Sequence, residues 1–444
     1  MTTVFKTSQL PTSPGVCGWV ALLPPRPGTP PLAEALTADV TVIGAGFAGL
    51  SAARRLAQID PTLTVAVLEA GVVGDGPAGR NSGFIIDLPH EVSSSDYGSA
   101  ALQGSRERIA LQRRAVAFAT ELAAERGWGR DTVDPCGRYT VALTPDGDRH
   151  VADYAAQLVR LGEIHTVLDA AALAQLTGSH AFTSGLHMPG TLIVQPAAYI
   201  RGLADSLQPP VRLHERTPAL SFERKGDGWL VRTPQGSVAG PRIILATNGY
   251  AERFGFFRGQ LLHVFTYASM TAAFDPARLG GRRDWAATPA SPMGTTLRRI
   301  SGPGGDRILV RARYTFNSGL RVGGGTMRRA GFLHDRKLAH RFPSLAGLEM
   351  EYRWGGAMAL TRNGVPAFGE VEAGVLAACG CNGLGASNAT ASGIAAAETL
   401  LGVDTSLTRI YAGFARPQPL PPRPVTTIGA KATLAVRELR AGIE

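Results

Sequence analysis

The first residues suited to chemistry in this chain form a glycine-rich turn near its start. An apolar β-branched run precedes the turn, helical spacing of apolar residues follows it, and Glu69 ends the next apolar run about 20 residues further on. The turn itself consists of Gly44, Ala45, Gly46, Phe47, Ala48 and Gly49. Backbone N–H groups at such a turn bind phosphate, and a carboxylate placed like Glu69 binds ribose hydroxyls. The spacing therefore predicts a β-α-β unit that binds a dinucleotide, with a glycine turn that binds nothing as the alternative.

A second glycine-rich segment favours FAD over NAD as that dinucleotide. Residues 74–84, GDGPAGRNSGF, form a loop where a chain that binds NAD usually continues into a helix. FAD is threaded through its protein, so loops after the second strand contact it. Residues 382–385, NGLG, form a further glycine-rich loop, which follows a strand-like run and opens a helix of small residues. The local pattern alone does not say which ligand this last loop serves.

The elements that must position these loops predict an α/β fold. It consists of a discontinuous, Rossmann-like FAD-binding domain and a substrate domain built on an antiparallel sheet. The expected division is a Pro-rich segment at 1–36, the FAD domain at 37–100, 190–250 and 350–405, the substrate domain at 101–189 and 251–349, and a C-terminal extension at 406–444. We expect no regular structure in 1–36, mostly helix over 100–175 with a hairpin at GRYTVALTPDG, and a short helix over 431–439.

Charge and cysteine content argue against several functional classes. The net charge of +10 comes almost entirely from arginines spread along the chain, whereas nucleic-acid binders usually cluster them. Cys17, Cys136, Cys379 and Cys381 match neither a disulfide framework nor the spacing of a metal site. No apolar run is long enough for a membrane span, and the first residues do not form a signal peptide. We expect a cytoplasmic protein without metal, nucleic-acid partner or membrane span.

An ordered set of motifs extends over nearly the whole chain. These are TADVTVIGAGFAGLSAARRLA, EAGVVGDGPAGRNSGF, ILATNGY, WGGAMALTRNGVPAFG, GCNGLGASNATASGIAAAETLLG and PPRPVTTIGAKATLAVRELR. In this order they resemble the D-amino-acid oxidase-like superfamily of FAD-dependent oxidoreductases, which includes glycine and sarcosine oxidases. Within it the chain is most similar to the branch of gamma-glutamylputrescine oxidase.

The resemblance implies which residues contact FAD. Besides the first turn and Glu69, they are Ala70, Gly79, Arg80, Asn81, Ser82, Gly83, Ala219, Ala246, Thr247, Asn248, Gly356, Asn382, Gly383, Leu384 and Gly385. Sarcosine-oxidase-like relatives attach flavin to a cysteine in the stretch that reads GGAMALTRNGVPAFG here. Because this stretch holds no cysteine, the resemblance implies noncovalent FAD.

The implied activity is an FAD-dependent oxidase of a primary or secondary amine. A hydride moves from the carbon next to nitrogen to flavin N5, the imine hydrolyses, and O2 reoxidises the flavin to give H2O2. Glycine-oxidase-like relatives place a carboxylate-binding arginine where this chain has Met358, which argues against a simple α-amino acid. The alternatives are an oxidase of an N-substituted glycine or iminodiacetate-like dicarboxylic amine, a dehydrogenase that passes electrons to a quinone or carrier, and, from another class, a nicotinamide dehydrogenase or a non-catalytic nucleotide-binding module.

Residues for the substrate side follow from strand alternation. Arg311 and Arg313 share one face of a predicted strand, and Tyr314 lies on the other. The two arginines either form an anion clamp over the flavin or are simply solvated. His263 and Tyr267 share a face of another strand, and Trp354 either shapes the pocket or lies in the core. These five residues, Arg311, Arg313, His263, Tyr267 and Trp354, are the candidate catalytic residues.

Overall fold

The computed structural model describes residues 3–7, 9–89 and 99–444. The α-helices are α1 (Gly18–Ala21), α2 (Phe47–Ile59), α3 (Pro77–Arg80), α4 (Ser99–Arg126), α5 (Pro145–Leu161), α6 (Ala170–Thr177), α7 (Pro196–Asp205), α8 (Gly324–Arg341), α9 (Gly385–Leu400), α10 (Ser406–Gly413) and α11 (Arg423–Ala441). Short 3-10 helices span Asn248–Phe254, Pro276–Arg278 and Pro343–Leu345.

The strands alternate with these helices along the chain. They are β1 (Val4–Lys6), β2 (Ala35–Thr37), β3 (Val40–Ile43), β4 (Val65–Leu68), β5 (Phe84–Ile85), β6 (Val133–Asp134), β7 (Arg138–Ala142), β8 (Thr166–Asp169), β9 (Ser184–Met188), β10 (Leu192–Val194), β11 (Val211–His214), β12 (Ser221–Lys225), β13 (Gly228–Arg232), β14 (Ser237–Gly240), β15 (Arg242–Leu245), β16 (Leu261–Met270), β17 (Trp285–Pro289), β18 (Thr296–Gly302), β19 (Gly305–Phe316), β20 (Tyr352–Thr361), β21 (Ala367–Glu372) and β22 (Val375–Cys379).

A six-stranded sheet in the order β11-β4-β3-β15-β22-β21 carries the glycine-rich loops. All neighbouring pairs are parallel except β21 and β22. Its central strands are short apolar runs buried on both faces, as is typical of parallel sheets. Helices α2, α7 and α9 pack into the core on one face, and the sheet β1-β12-β13-β14-β2 shares the core on the other. The predicted α/β class with a Rossmann-like unit is confirmed.

A second large sheet has eight strands in the order β20-β16-β19-β18-β17-β7-β9-β8. It is antiparallel except for the pair β17 and β7. Strand β20 belongs to this sheet, although we assigned its segment to the FAD domain. The domain limits therefore stay a prediction. A small sheet, β5-β10-β6, completes the described strands.

Three sequence expectations were wrong. The predicted hairpin at 138–146 is strand β7 followed directly by α5, because Thr144 caps that helix by accepting a hydrogen bond from the Gly147 N–H. The N-terminal segment contains β1, α1 and β2, and its Trp19 is fully buried. The helix expected over 431–439 extends over all of α11.

The described part of the chain contains no helix with the length and apolar character of a membrane span. It also contains no cluster of ligand-type side chains suited to a metal ion. All four cysteines are free thiols.

Candidate functional site

Both glycine-rich loops border one cavity, which opens where the parallel strands β3, β4, β15 and β22 end. Most predicted site residues line it: Gly44, Ala45, Gly46, Phe47, Ala48, Glu69, Ala70, Arg80, Asn81, Ser82, Ala219, Ala246, Thr247, Asn248, Gly356, Gly383, Leu384, Gly385, Tyr267 and Arg311. Ligands of open α/β sheets bind at this edge. The sequence argument for one ligand bordered by two loops therefore has a matching cavity.

Two helices begin at the cavity with their N–H groups free of side-chain caps. Helix α2 starts after Gly46 and α9 after Leu384, and neither N-cap residue provides a side-chain hydrogen bond. Neither helix has an acidic residue in its first turn. The first N–H groups of a helix lack partners within the helix, and the dipole favours negative charge there. Both helix starts are therefore suited to hold phosphate or electron-rich ring atoms.

Glycines allow the tight turn before α2. Gly44 has a φ of +102°, and a Cβ on Gly49 would lie 1.8 Å from the carbonyl oxygen of Gly44. A Cβ on Gly46 would meet only the Cβ of Ala78, at 3.8 Å, so a ligand can approach this backbone closely. Gly49 thus serves the turn without lining the cavity.

Glu69 holds the same turn from the end of β4. Its carboxylate accepts hydrogen bonds from the Ala45 N–H at 2.8 Å and the Gly71 N–H at 2.9 Å. Burial raises the pKa of Glu69 above its ordinary value. Each carboxylate oxygen keeps acceptor capacity, which fits the ribose hydroxyls of a dinucleotide.

Arg80 joins the middle loop to the N-terminal segment. Its guanidinium donates to the backbone oxygens of Pro14 and Gly15, both at 3.0 Å, and burial lowers its pKa. The Trp354 indole donates to the Arg80 carbonyl at 2.9 Å. Trp354 is fully buried and does not line the cavity, so it fits the core alternative and supports the loop from behind.

Three other predicted cofactor residues lie behind the cavity wall. A Cβ on Gly79 would lie 2.0 Å from the Gly74 carbonyl oxygen, and one on Gly83 2.2 Å from that of Val194. The Asn382 side chain accepts from the Thr361 N–H and donates to the Val365 carbonyl, both at 2.8 Å. These contacts hold the loops in shape.

Unpartnered polar groups test whether the cavity fits FAD. The hydroxyls of Thr247 and Thr266 are buried, line the cavity and have no hydrogen-bond partner among the described residues. Buried hydroxyls without partners are rare in folded proteins and point to a missing ligand or water. Together with the two uncapped helices and Glu69, they fit a long ligand rich in donors and acceptors, such as FAD.

The substrate-side arginines do not form a pair. A bulge in the pairing of β19 with β16 falls at Arg313, whose φ is +66°. Arg313 donates to Glu438 of α11 at 2.8 Å, whereas Arg311 lines the cavity and contacts the Tyr314 hydroxyl. The prediction that Arg311 and Arg313 share a face opposite Tyr314 was therefore wrong, because the bulge shifts the alternation by one residue.

Arg311 is a half-buried cation in the cavity wall. Its partial burial lowers its pKa to about 10, and no carboxylate in the described residues forms an ion pair with it. A partly buried charge without a counter-charge is unfavourable, so this guanidinium favours an anionic ligand group. Met358 lines the same cavity and adds an apolar wall.

His263 and Tyr267 have different surroundings. His263 is buried against Glu252 in an ion-pair geometry and does not line the cavity. Tyr267 lines the cavity, its hydroxyl contacts Thr315, and burial raises its pKa. Of the five candidate catalytic residues, Arg311 and Tyr267 border the cavity and His263, Arg313 and Trp354 do not.

Sequence reasoning missed several lining residues. Thr7, Gln9, Leu10 and Pro11 come from the N-terminal segment, and no local pattern marked them. Tyr250 also lines the cavity and ends the motif ILATNGY, so that motif was a usable signal. Cys379 and Cys381 lie in the wall as well, and burial raises the pKa of Cys379 to about 12.

Comparisons with known proteins identify the family of this chain. The family model described as DAO, FAD dependent oxidoreductase, matches residues 39–399. A probable oxidoreductase OrdL of Rhizobium meliloti is 28% identical over 90% of this chain and 92% of its own length. The gamma-glutamylputrescine oxidoreductase of Escherichia coli is 26% identical over 84% of this chain and 85% of its own. The crystal structure of glycine oxidase from Geobacillus kaustophilus superposes with a TM-score of 0.69 at 20% identity, covering 83% of this chain and 96% of that one.

Proposed function

Since the chain belongs to the DAO family of FAD-dependent oxidoreductases, we propose that it is an oxidase of a primary or secondary amine. FAD is its cofactor, and family members of this kind act on amines or amino acids. The observation that carries the proposal is the shared cavity, in which the two uncapped helix starts and the substrate-side residues Tyr267, Arg311 and Met358 line one space. A cofactor held by the loops is thereby next to a substrate held by the sheet.

The loops and helices hold FAD without a covalent bond in this proposal. The N–H groups at the start of α2 bind the pyrophosphate, and Glu69 accepts from the ribose hydroxyls. The Arg80–Asn81–Ser82 backbone and the start of α9 hold the ring system. When bound, FAD supplies the chemistry by accepting a hydride from the carbon next to nitrogen and passing electrons to O2, which yields H2O2.

The side chains of the second sheet orient the amine and exclude water. Met358 gives an apolar surface, and the sheet over the cavity keeps the reacting carbon dry. Tyr267 is held by Thr315 and stays neutral, because burial raises its pKa, so it offers an oriented hydroxyl to a polar group of the substrate.

A narrower substrate is favoured by Arg311. Its unpaired guanidinium fits a carboxylate, so an N-substituted glycine or a dicarboxylic secondary amine is the second candidate. In this candidate the substrate carboxylate binds the Arg311 guanidinium.

A matched substrate panel tests both candidates. Peroxide release is scored for a diamine, an N-alkylglycine, an iminodiacetate-like amine and glycine, with product identification by mass spectrometry. Turnover of amines with and without a carboxylate supports the general proposal, and turnover restricted to carboxylated amines supports the narrower one. Fast anaerobic reduction of the flavin by the amine, without peroxide release and with slow reoxidation on stopped-flow mixing with O2, would instead indicate a dehydrogenase.

A further inference from the structure

The outer face of the C-terminal helix α11 is apolar and uncovered. Glu438 and the buried Ala441 face the body of the protein, where Glu438 pairs with Arg313. The opposite face carries Val425, Ile428, Ala432, Ala435, Val436 and Leu439, here called the outer stripe. Ile428 is 70% exposed and Leu439 is 82% exposed. Their spacing of three and four residues aligns them along about 21 Å of helix.

Cations flank the outer stripe on both sides. On the helical projection Lys431 lies along one edge and Arg440 lies along the other, and both are exposed. The one acidic residue of the helix, Glu438, is turned inward to Arg313. An apolar stripe with long cationic side chains at both edges is the pattern of helices that lie in the surface of an anionic membrane.

A second copy of the chain fits this helix poorly. Side chains at the edges of one helix meet edge side chains of the other when two helices pair along apolar stripes. In an antiparallel pair centred on the outer stripe, Lys431 lies beside its own copy. This sets cation against cation, which destabilises such a pair.

We infer that α11 docks the protein on an anionic lipid surface through the outer stripe, with Lys431 and Arg440 at the headgroups. The apolar side chains insert between the headgroups, and the cations bind lipid phosphates. This inference goes beyond the proposed function and does not depend on it, because no residue of the outer stripe lines the cavity.

Vesicle co-sedimentation of the purified, FAD-loaded full chain tests the inference. Vesicles of phosphatidylcholine containing about 30% phosphatidylglycerol, the anionic lipid, are compared with pure phosphatidylcholine. The wild type is expected to sediment with the anionic vesicles only, and high salt releases it. Wild-type protein that stays in the supernatant with both kinds of vesicle overturns the inference.

Paired variants separate the stripe from its flanks. Ile428→Gln with Leu439→Gln is expected to lower the partition coefficient at least about tenfold. Lys431→Gln with Arg440→Gln is expected to lower it about 25-fold, since each surface cation is worth about fivefold. Ile164→Gln is the matched control, because Ile164 is 77% exposed outside α11 and should bind vesicles like wild type.

The remaining outcomes are also decisive. Equal binding of the wild type and both double variants overturns the inference. The inference is also overturned if the wild type is a dimer that does not bind vesicles while the Ile428→Gln, Leu439→Gln protein is a monomer. A second copy of the chain would then cover the outer stripe. Unchanged flavin content and melting temperature confirm that the exposed substitutions leave the fold intact.

Discussion

Surroundings, more than residue type, decide what each charged side chain near the cavity does. Arg311 and Arg313 are two positions apart on β19, yet one lines the cavity and the other pairs with Glu438. His263 carries a residue type suited to catalysis, but it is engaged with Glu252 away from the cavity. Only contacts across the sheet distinguish these roles.

Arg311 and Arg313 make a matched pair for mutation. Arg311→Gln removes the cavity cation and should lower kcat/KM for a carboxylated amine about 10- to 100-fold, mainly through KM. Arg313→Gln should leave kcat/KM within about twofold and lower the free energy of unfolding by less than about 1 kcal/mol, since its ion pair is partly exposed. Steady-state kinetics and urea unfolding measure both. Equal kinetic losses in the two variants would contradict the assignment.

Glu252 and His263 predict a pH dependence of stability. Burial acts to raise the pKa of Glu252, but hydrogen bonds from His263 and the Gly259 N–H bring it below the ordinary 4.5. A lowered pKa stabilises the fold above the unfolded-state value, and this stabilisation is lost as pH falls from 4.5 through the folded value. Glu252→Gln should lower the free energy of unfolding by about 1–3 kcal/mol at neutral pH.

Urea unfolding over the acid range measures this effect. The Glu252→Gln protein should lose less stability than wild type as pH falls below 4.5. Glu223→Gln, which breaks the exposed pair with Arg232, should cost less than about 1 kcal/mol. Parallel acid profiles for wild type and Glu252→Gln would refute the role of the pair.

At the scale of elements, the two helices that begin at the cavity also pack on each other. A small residue of α9 lets it approach α2 closely, because a Cβ on Gly393 would lie 2.1 Å from the Ala48 carbonyl oxygen. This contact sets the separation of the two helix starts, and with it the fit of one cofactor to both.

Gly393→Ala should therefore damage the site and the core together. Its Cβ meets backbone that cannot rotate away, so we expect a loss of about 1–3 kcal/mol in the free energy of unfolding and weaker FAD retention. Gly429→Ala in α11 is the control, because nothing lies within 4 Å of its Cβ and alanine favours helix. Thermal unfolding and flavin release measure both. If the Gly393→Ala protein kept wild-type stability and wild-type flavin content, the contact with Ala48 would not be what sets the separation of the two helix starts.

Local patterns predicted the cofactor side far better than the substrate side. The turn at Gly44–Gly49 and the position of Glu69 belong to one β-α-β unit, so the residues that predict them are close together in the sequence. The bulge at Arg313 depends on pairing with β16, far away in sequence, so alternation alone gave the wrong face. The hairpin expected at 138–146 failed for a similar reason, since β7 pairs with β17 and β9 rather than with its neighbour in sequence.

At the scale of the whole molecule, the N-terminal segment connects the loop at Asn81 to helix α7 and to strand β18 of the second large sheet. The Trp19 indole donates to the Asn81 carbonyl at 2.8 Å, and Gln195 donates to the Trp19 carbonyl at 2.7 Å. The Arg298 guanidinium lies 4.7 Å from the centre of the Trp19 ring. A proline-rich composition gave no hint of this role, because the contacts are long-range.

Trp19 should therefore matter for both stability and cofactor retention. Trp19→Ala is expected to lower the free energy of unfolding by about 3–5 kcal/mol and to release FAD at lower temperature. Trp19→Phe keeps most of the ring volume and should show a smaller loss of the same kind. Flavin fluorescence during heating reports both events. Val16→Ala, at a side chain 63% exposed, should behave like wild type, and a similar drop there would contradict a specific role of Trp19.

The central claim is that the two glycine-rich loops hold one FAD beside a cavity that binds an amine. Anaerobic addition of amines to the FAD-loaded protein, followed by flavin absorbance, tests it most directly. We predict that the oxidised flavin band bleaches with an amine substrate, and that Arg311→Gln shifts the half-saturating concentration of carboxylated amines upward. A flavin that stays oxidised with every amine and amino acid supplied would contradict the account.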